Sequence, residues 1–252
     1  MNQRFRDAVV LISGATSGIG RVAAERFVRE GAYIVFCGFG AAEAADLVAT
    51  SHGRATYVDV DLRDPEGCDA FVDAALAQHG RIDVIINNAA SVLRSTLEST
   101  DAAFFDAMMA LNVRAPILIM RRALPALRTN PAGAVVINVG SLNAYVGAPN
   151  LLAYSTSKGA LMTLSRNLAA AHRHEGIRVH VLNVGWTNTD GEDRLQKSLG
   201  NGDDWAEKVG ATRPIKRLLR PDEIVNAMMF YASAEAAVFS GAVIDLDQAP
   251  IR

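Results

Sequence analysis

Seven short runs rich in β-branched residues recur along the chain, and each is mostly apolar rather than alternating: Ala8–Ile12, Tyr33–Cys37, Ala55–Val60, Ile82–Asn87, Ala134–Val139, Arg178–Val184 and Ala242–Leu246. A strand that is apolar on both faces must be covered on both faces. The cover lies between the runs, in helical stretches at Gly18–Glu30, Ala41–Thr50, Pro65–Gln78, Asp101–Arg128, Ala153–Glu175 and Pro221–Ala232. Strand–helix alternation over the whole chain predicts an α/β fold, a doubly wound seven-stranded parallel sheet with helices on both faces. In such sheets ligands bind at the carboxyl ends of the strands. With 252 residues, half of them hydrophobic, the chain suits one domain over 1–252 with a substantial core. The least regular stretch, 185–214, is expected to be a substrate loop or lid, with room for a short helix of its own.

Composition narrows the partners. A net charge of -2 gives no basic footprint for nucleic acid or an anionic membrane, and 6% aromatic residues leave no base-stacking platform. The apolar run after Arg4 and Arg6 is too short for a signal peptide, and no apolar run approaches the 18 or so residues of a membrane span. Cys37 and Cys68 lack metal spacing and read as free thiols of a reducing compartment, which points to the cytoplasm. The five histidines form no ligand motif, so no metal site is expected.

The first strand runs into Ser13-Gly14-Ala15-Thr16-Ser17-Gly18-Ile19-Gly20, and a helix follows. Glycines there allow a tight turn and close approach of a ligand, and the helix N-terminus offers free N–H groups suited to a pyrophosphate. The spacing is G-x-x-x-G-x-G rather than the G-x-G-x-x-G of the longer dinucleotide fingerprint. A tight strand-to-helix connection without a ligand is the alternative.

Further along, Tyr154 and Lys158 are four residues apart on a predicted helix, so they share one face. An ammonium beside a phenol favours the phenolate and lowers the tyrosine's pKa, making it usable as an acid or base. Ser141, at the end of the fifth strand, offers a hydroxyl. A plain surface pair is the other reading of Tyr154 and Lys158.

Taken together, Gly14-x-x-x-Gly18-Ile19-Gly20, Asn87-Asn88-Ala89-Ala90, Ser141 thirteen residues before Tyr154, and Tyr154-x-x-x-Lys158 resemble the short-chain dehydrogenase/reductase family, in its compact single-domain form on a Rossmann fold. The resemblance implies an NAD(P)-dependent oxidoreductase that moves a hydride between nicotinamide and a secondary alcohol or ketone. It implies catalytic roles for Asn112, Ser141, Tyr154 and Lys158. Tyr154 would be the acid or base, Lys158 would lower its pKa and hold the nicotinamide ribose, and Ser141 would hold the substrate oxygen. Pro116 gives an independent reason for Asn112: proline lacks the N–H that would bond the Asn112 carbonyl, which frees an acceptor for a water-linked proton relay to Lys158. A mere kink in a packed helix is the alternative.

The same resemblance assigns the cofactor to Gly14, Thr16, Ser17, Gly18, Ile19 and Gly20 in the turn, to Phe39, and to Asp61 and Leu62 at the adenine edge. Asn88, Ala89 and Ala90 would lie under the ribose, and Gly185, Thr187 and Thr189 would join Tyr154 and Lys158 around the nicotinamide. Ala90 stands where relatives carry glycine and Val184 where they carry proline. The ending Asp245-Leu246-Asp247-Gln248-Ala249 lacks the usual D-G-G. Substrate contacts fall to Ser141, Asn143, Tyr154 and Trp186. At the end of the second strand Gly38 replaces the aspartate of NAD-binding relatives and Phe39 the arginine of NADP-binding ones. The cofactor is therefore NAD or NADP, with a lean to NADP because the aspartate is missing. Asp190, Glu192 and Asp193 near the pocket suggest a sugar, polyol, cationic or other small polar substrate. A dinucleotide-sensing regulator on the same fold is the alternative function. Small residues after Lys158 suggest helix-on-helix assembly into a homodimer or homotetramer.

Overall fold

The computed structural model describes residues 3–247, so the expectation about the chain's ending, where it concerns Gln248 and Ala249, lies outside the described residues. The elements follow as β1 (Val9–Ser13), α1 (Gly18–Arg29), β2 (Tyr33–Cys37), α2 (Ala41–Thr50), β3 (Ala55–Tyr57), α3 (Pro65–His79) and β4 (Val84–Asn87). The second half contains α4 (Ala102–Met109), a π-helical turn (Ala110–Arg114), α5 (Ala115–Arg128), β5 (Ala134–Ser141), α6 (Leu152–His172) and β6 (Ile177–Val184). It ends with α7 (Asp190–Ser198), α8 (Trp205–Ala211), α9 (Pro221–Ala232) and β7 (Val243–Leu246).

All seven strands pair in parallel in the order β3-β2-β1-β4-β5-β6-β7. Alternate residues of the five inner strands feed two separate cores. Val10 and Ile12 of β1 pack with Phe27 of α1 and Met228 and Met229 of α9 on one face. Leu11, between them, packs with Phe71 of α3 and Ile119 and Met120 of α5 on the other. The continuous apolar reading of the strands reflects this double burial. The order reverses between β1 and β4, and the crevice at that switch point receives the turn after β1 and the loop after β4.

The structure corrects two sequence expectations. Asp101–Arg128 is not one regular helix. The i−5 hydrogen bond from Ala115 N to Ala110 O marks one extra residue in the turn between α4 and α5. Pro116, in the first turn of α5, lacks an N–H for either the Asn112 carbonyl in α register or the Leu111 carbonyl in π register. The segment Ala102–Arg128 is also long and apolar enough to cross a membrane by length and composition. Here its apolar face, including Ile119, Met120 and Leu127, lies inside the second core, and Met108 is buried.

Candidate active site

The turn after β1 is shaped by contact as much as by conformation. Gly14 sits at φ +69°, and a Cβ on it would lie 2.8 Å from Ala89 Cα. A Cβ on Gly20 would lie 2.2 Å from the Gly14 carbonyl oxygen. The loop after β4 is drawn onto this turn: Asn88 Nδ2 donates to the Gly14 carbonyl at 2.8 Å, and Ser13 Oγ accepts from Asn88 N and Ala89 N at 3.0 and 3.1 Å. Ser17 precedes α1 without capping it through its side chain. The first N–H groups of α1 are thus left for a ligand, and the cradle fits a pyrophosphate.

The catalytic edge lies beside it. Ser141 ends β5 and is buried, and its Oγ accepts from Asn143 N at 3.2 Å and Nδ2 at 3.4 Å. Its hydroxyl lies near enough to the Tyr154 phenol to favour the ionised form. Lys158 is fully enclosed, with its ammonium 5.7 Å from the Tyr154 ring centroid and donating to the Val139 carbonyl of β5 at 2.7 Å. Asn112 Nδ2 donates to Ser157 Oγ at 2.9 Å and to the Ser91 carbonyl at 3.0 Å, while its Oδ1 accepts from Ser91 N at 2.8 Å. Ser157 Oγ in turn donates to the Tyr154 carbonyl at 2.7 Å. The π turn therefore clamps the loop after β4 to the helix that carries Tyr154 and Lys158. Among the described residues no hydrogen bond joins Lys158 to Asn112 directly.

Burial pushes the Tyr154 pKa up, and Glu192 adds to the rise; the Ser141 hydroxyl and the Arg94 charge pull it back down. Burial also pushes Lys158 down to about 8. Arg94 and Glu192 thus act on the phenol with opposite signs, while the Lys158 ammonium, 5.7 Å from the ring centroid, donates to the Val139 carbonyl.

The loop after β6 closes the cleft. Thr189 caps α7 by accepting from Glu192 N at 3.1 Å, and its Cγ2 lies 3.5 Å from where a Cβ on Gly18 would be. Thr187 is buried, bonds the Gly185 carbonyl through Oγ1 and bridges to Leu219. The resulting cleft of about 840 Å³ is lined by Ile19, Asn88, Ala90, Ser141, Asn143, Tyr154, Lys158, Gly185, Trp186, Thr187 and Thr189. Among the described residues no cluster of three His, Cys, Asp or Glu could hold a metal.

Residues 14–248 match the family model described as enoyl-(acyl carrier protein) reductase. The chain belongs to the short-chain dehydrogenase/reductase family. It is 33% identical to an uncharacterized oxidoreductase of Thermotoga maritima (strain ATCC 43589), over 96% of this chain and 97% of that protein. Among solved structures it superposes on L-sorbose reductase from Gluconobacter frateurii, complexed with NADPH and L-sorbose, with TM-score 0.93 and 29% identity. That match covers 100% of this chain and 99% of the other. It also superposes on 3-ketoacyl-(acyl-carrier-protein) reductase from Brucella melitensis, complexed with NADH, with TM-score 0.86 and 30% identity, covering 96% and 98%. Like its family, the protein is an NAD(P)-dependent oxidoreductase of alcohols and ketones.

Not every residue singled out in the sequence faces the short-chain dehydrogenase/reductase cleft. Phe39 projects into solvent at 77% exposure. The Asp61 carboxylate accepts from Arg63 N at 2.8 Å and pairs with its guanidinium, which holds Asp61 below the usual aspartate range. Leu62 is buried in the second core. The 185–214 stretch is mostly helical, holding α7 and α8, and its acidic residues serve internal bonds. Asp193 pairs with Lys197 and accepts from Trp205 Nε1 at 2.9 Å. Glu192 Oε1 accepts from Trp186 Nε1 at 3.0 Å, Gln196 Nε2 at 2.7 Å and Arg94 at 3.3 Å.

Sequence reasoning passed over several residues. Arg94 and Arg213 line the cleft beside Glu192, which the sequence had already placed near the pocket. Asn87, Asn138 and Ser165 form a buried chain, with Asn87 Nδ2 to Asn138 Oδ1 and Asn138 Nδ2 to Ser165 Oγ both at 2.8 Å. Asparagines inside otherwise apolar strand runs were the available signal, because a buried amide needs partners on neighbouring elements.

Proposed function

We propose that the protein catalyses reversible hydride transfer between nicotinamide and a secondary alcohol or ketone on a small polar substrate such as a sugar or polyol. The observation that carries this is the convergence of Ser141, Tyr154 and Lys158 on the cleft beside the glycine cradle. The dinucleotide, when bound, supplies the hydride. The chain supplies the rest. Gly14, Gly20 and the open N-terminus of α1 would hold the pyrophosphate, and Thr187 and Thr189 would border the nicotinamide. Ser141 would hold the substrate oxygen and stabilise charge developing on it. Tyr154 would give its proton to that oxygen in reduction and take one in oxidation. Lys158 would fix the ribose, and Asn112 would hold the catalytic helix in place. The 185–214 stretch would serve as the lid.

For the choice of dinucleotide, the charges at the end of β2 support NAD over the NADP expected from the missing aspartate. Arg21 is committed to Glu25, Asp46 and the Glu43 carbonyl. The Glu43 carboxylate lies 2.4 Å from where a Cβ on Gly40 would be, which sets a negative charge beside that strand end. A 2′-phosphate would meet a carboxylate there. The buried free thiols Cys37 and Cys68 support work in the reducing cytoplasm. Assembly into a homodimer or homotetramer is part of the same reading, supported by the partly exposed small residues Gly159 and Ala160 on α6. Sedimentation measures it.

The test is a turnover screen of sugars, polyols and small ketones with NADH and NADPH, run beside Tyr154→Phe. Loss of turnover with cofactor binding retained supports the enzyme. Binding without turnover on any substrate would favour the dinucleotide-sensing regulator.

A further inference from the structure

Among the described residues, Arg213 lines the cleft with no ion pair and no side-chain hydrogen bond. Its guanidinium carbon lies 5.6 Å from the Trp186 ring centroid, and its Nε is buried without an acceptor. A desolvated donor left unmet is costly, so an acceptor is expected from outside the chain. The backbone around it is held: Arg213 N donates to the Gly210 carbonyl at 2.9 Å, and Lys216 N donates to the Arg213 carbonyl at 2.9 Å. A Cβ on Gly210 would lie 2.8 Å from Arg217 Cα, so this turn is closely packed. A second arginine repeats the pattern. Arg94 also lines the cleft and also has a buried Nε without an acceptor, although its Nη2 reaches Glu192.

The carboxylates nearby do not cancel this. Glu192 and Asp247 line the cleft against Arg94, Arg213 and Lys158. The Oε1 of Glu192 already receives three donors. Of the three acidic residues that suggested a polar or cationic substrate, Glu192 lines the cleft and Asp190 and Asp193 do not.

We infer that the substrate carries an anionic group, a carboxylate or its equivalent, which Arg213 receives at the lid end of the cleft with Arg94 Nε as a second donor. Trp186 lies beside the guanidinium without using its N–H donors, which are left for a planar two-oxygen acceptor. The alcohol or ketone carbon would sit at Ser141 and Tyr154, so the inference rests on the proposed oxidoreductase reading and specifies its substrate class.

Both tryptophans of the chain, Trp186 and Trp205, stand in this lid with ring centroids 6.0 Å apart, so intrinsic fluorescence reports on it. The test titrates the protein loaded with NAD+ or NADP+ with cyclohexanecarboxylate and with cyclohexanecarboxamide, its neutral counterpart. The carboxylate is expected to bind at least about tenfold tighter, as a charge-assisted pair requires. Arg213→Gln is expected to remove that preference and Arg213→Lys to retain part of it. Equal affinities in the unmodified protein, or a Gln variant that weakens both probes alike, would overturn the inference. Ketone reduction is measured separately: its absence counts against the proposed function, while the carboxylate preference alone decides this inference.

Discussion

Lys158 is buried with a single carbonyl partner, and its depressed pKa makes it a cost to folding that pH can remove. The fall from the ordinary lysine value to about 8 corresponds to about 3 kcal/mol. Below pH 8 both the native and the unfolded chain carry the proton, so the native state bears the whole cost of burying the ammonium. Between about pH 8 and the ordinary lysine value the native state has released the proton while the unfolded chain keeps it. This group therefore makes stability rise with pH across that window. Lys158→Met keeps the length of the side chain and removes the charge. It also leaves the Val139 carbonyl without its donor, which costs about 1–3 kcal/mol. The two effects oppose each other, so at pH 7 the variant is expected to lie between equal stability and a gain of about 2 kcal/mol, while losing turnover. The clean quantity is the difference in unfolding free energy between the two proteins, from urea titrations at pH 7, 8, 9 and 10, because other titrating groups cancel in it. That difference should move by about 2–3 kcal/mol in favour of the lysine protein as pH rises. A flat difference, or one that moves the other way, would refute the argument that burial controls this lysine.

Tyr154 should respond to the two charges that reach it. Glu192→Gln removes the group that raises its pKa and is expected to shift the rising, acid-side limb of alcohol oxidation to lower pH; Arg94→Gln shifts it to higher pH. The pH profile of kcat/KM for the two variants measures this. Asn112→Ala removes bonds to Ser91 and Ser157 and is expected to destabilise by about 3 kcal/mol, at about 1 kcal/mol for each lost bond, with a fall in turnover. Urea melts and kcat check both. Gly38→Asp should not create an NAD-type ribose ligand, since its Cβ would lie 2.6 Å from Thr16 Oγ1. We expect NADH affinity to fall at least about tenfold and to recover in Gly38→Asp combined with Thr16→Gly, read by fluorescence titration.

The sheet was legible in the sequence because burial on both faces leaves an unbroken apolar run, as in Val9–Ile12 and Val135–Ile137. Ser141, Tyr154 and Lys158 were legible because their spacing fixes which helix face and strand end they share. Other features depend on contacts made only when the chain closes. That Glu192 serves three donors, from the loop after β6, from α7 and from the loop after β4, cannot be seen from an acidic stretch. Arg94 and Arg213 are 119 positions apart in number, and nothing local marks either as facing one cleft. Pro116 did signal a break in Asp101–Arg128, but the sequence pointed to a missing hydrogen bond, whereas the chain resolves the break by adding a residue to the turn.

That added residue has a consequence for how the gene can change. Removing one residue between Ala110 and Arg114 would let Ala102–Arg128 wind with ordinary helical periodicity, and by local hydrogen bonding alone the shorter helix would be the better one. Each residue of an α-helix turns the chain by about 100°, so the same deletion would swing α4 and α5 out of phase. Either the amide of Asn112 would leave Ser91 and Ser157, or Ile119, Met120 and Leu127 would leave the core. A chain selected or engineered for helix regularity would drift toward that deletion and lose the active site, while substitutions that keep the residue count would not. Length, more than identity, is what this stretch has to conserve.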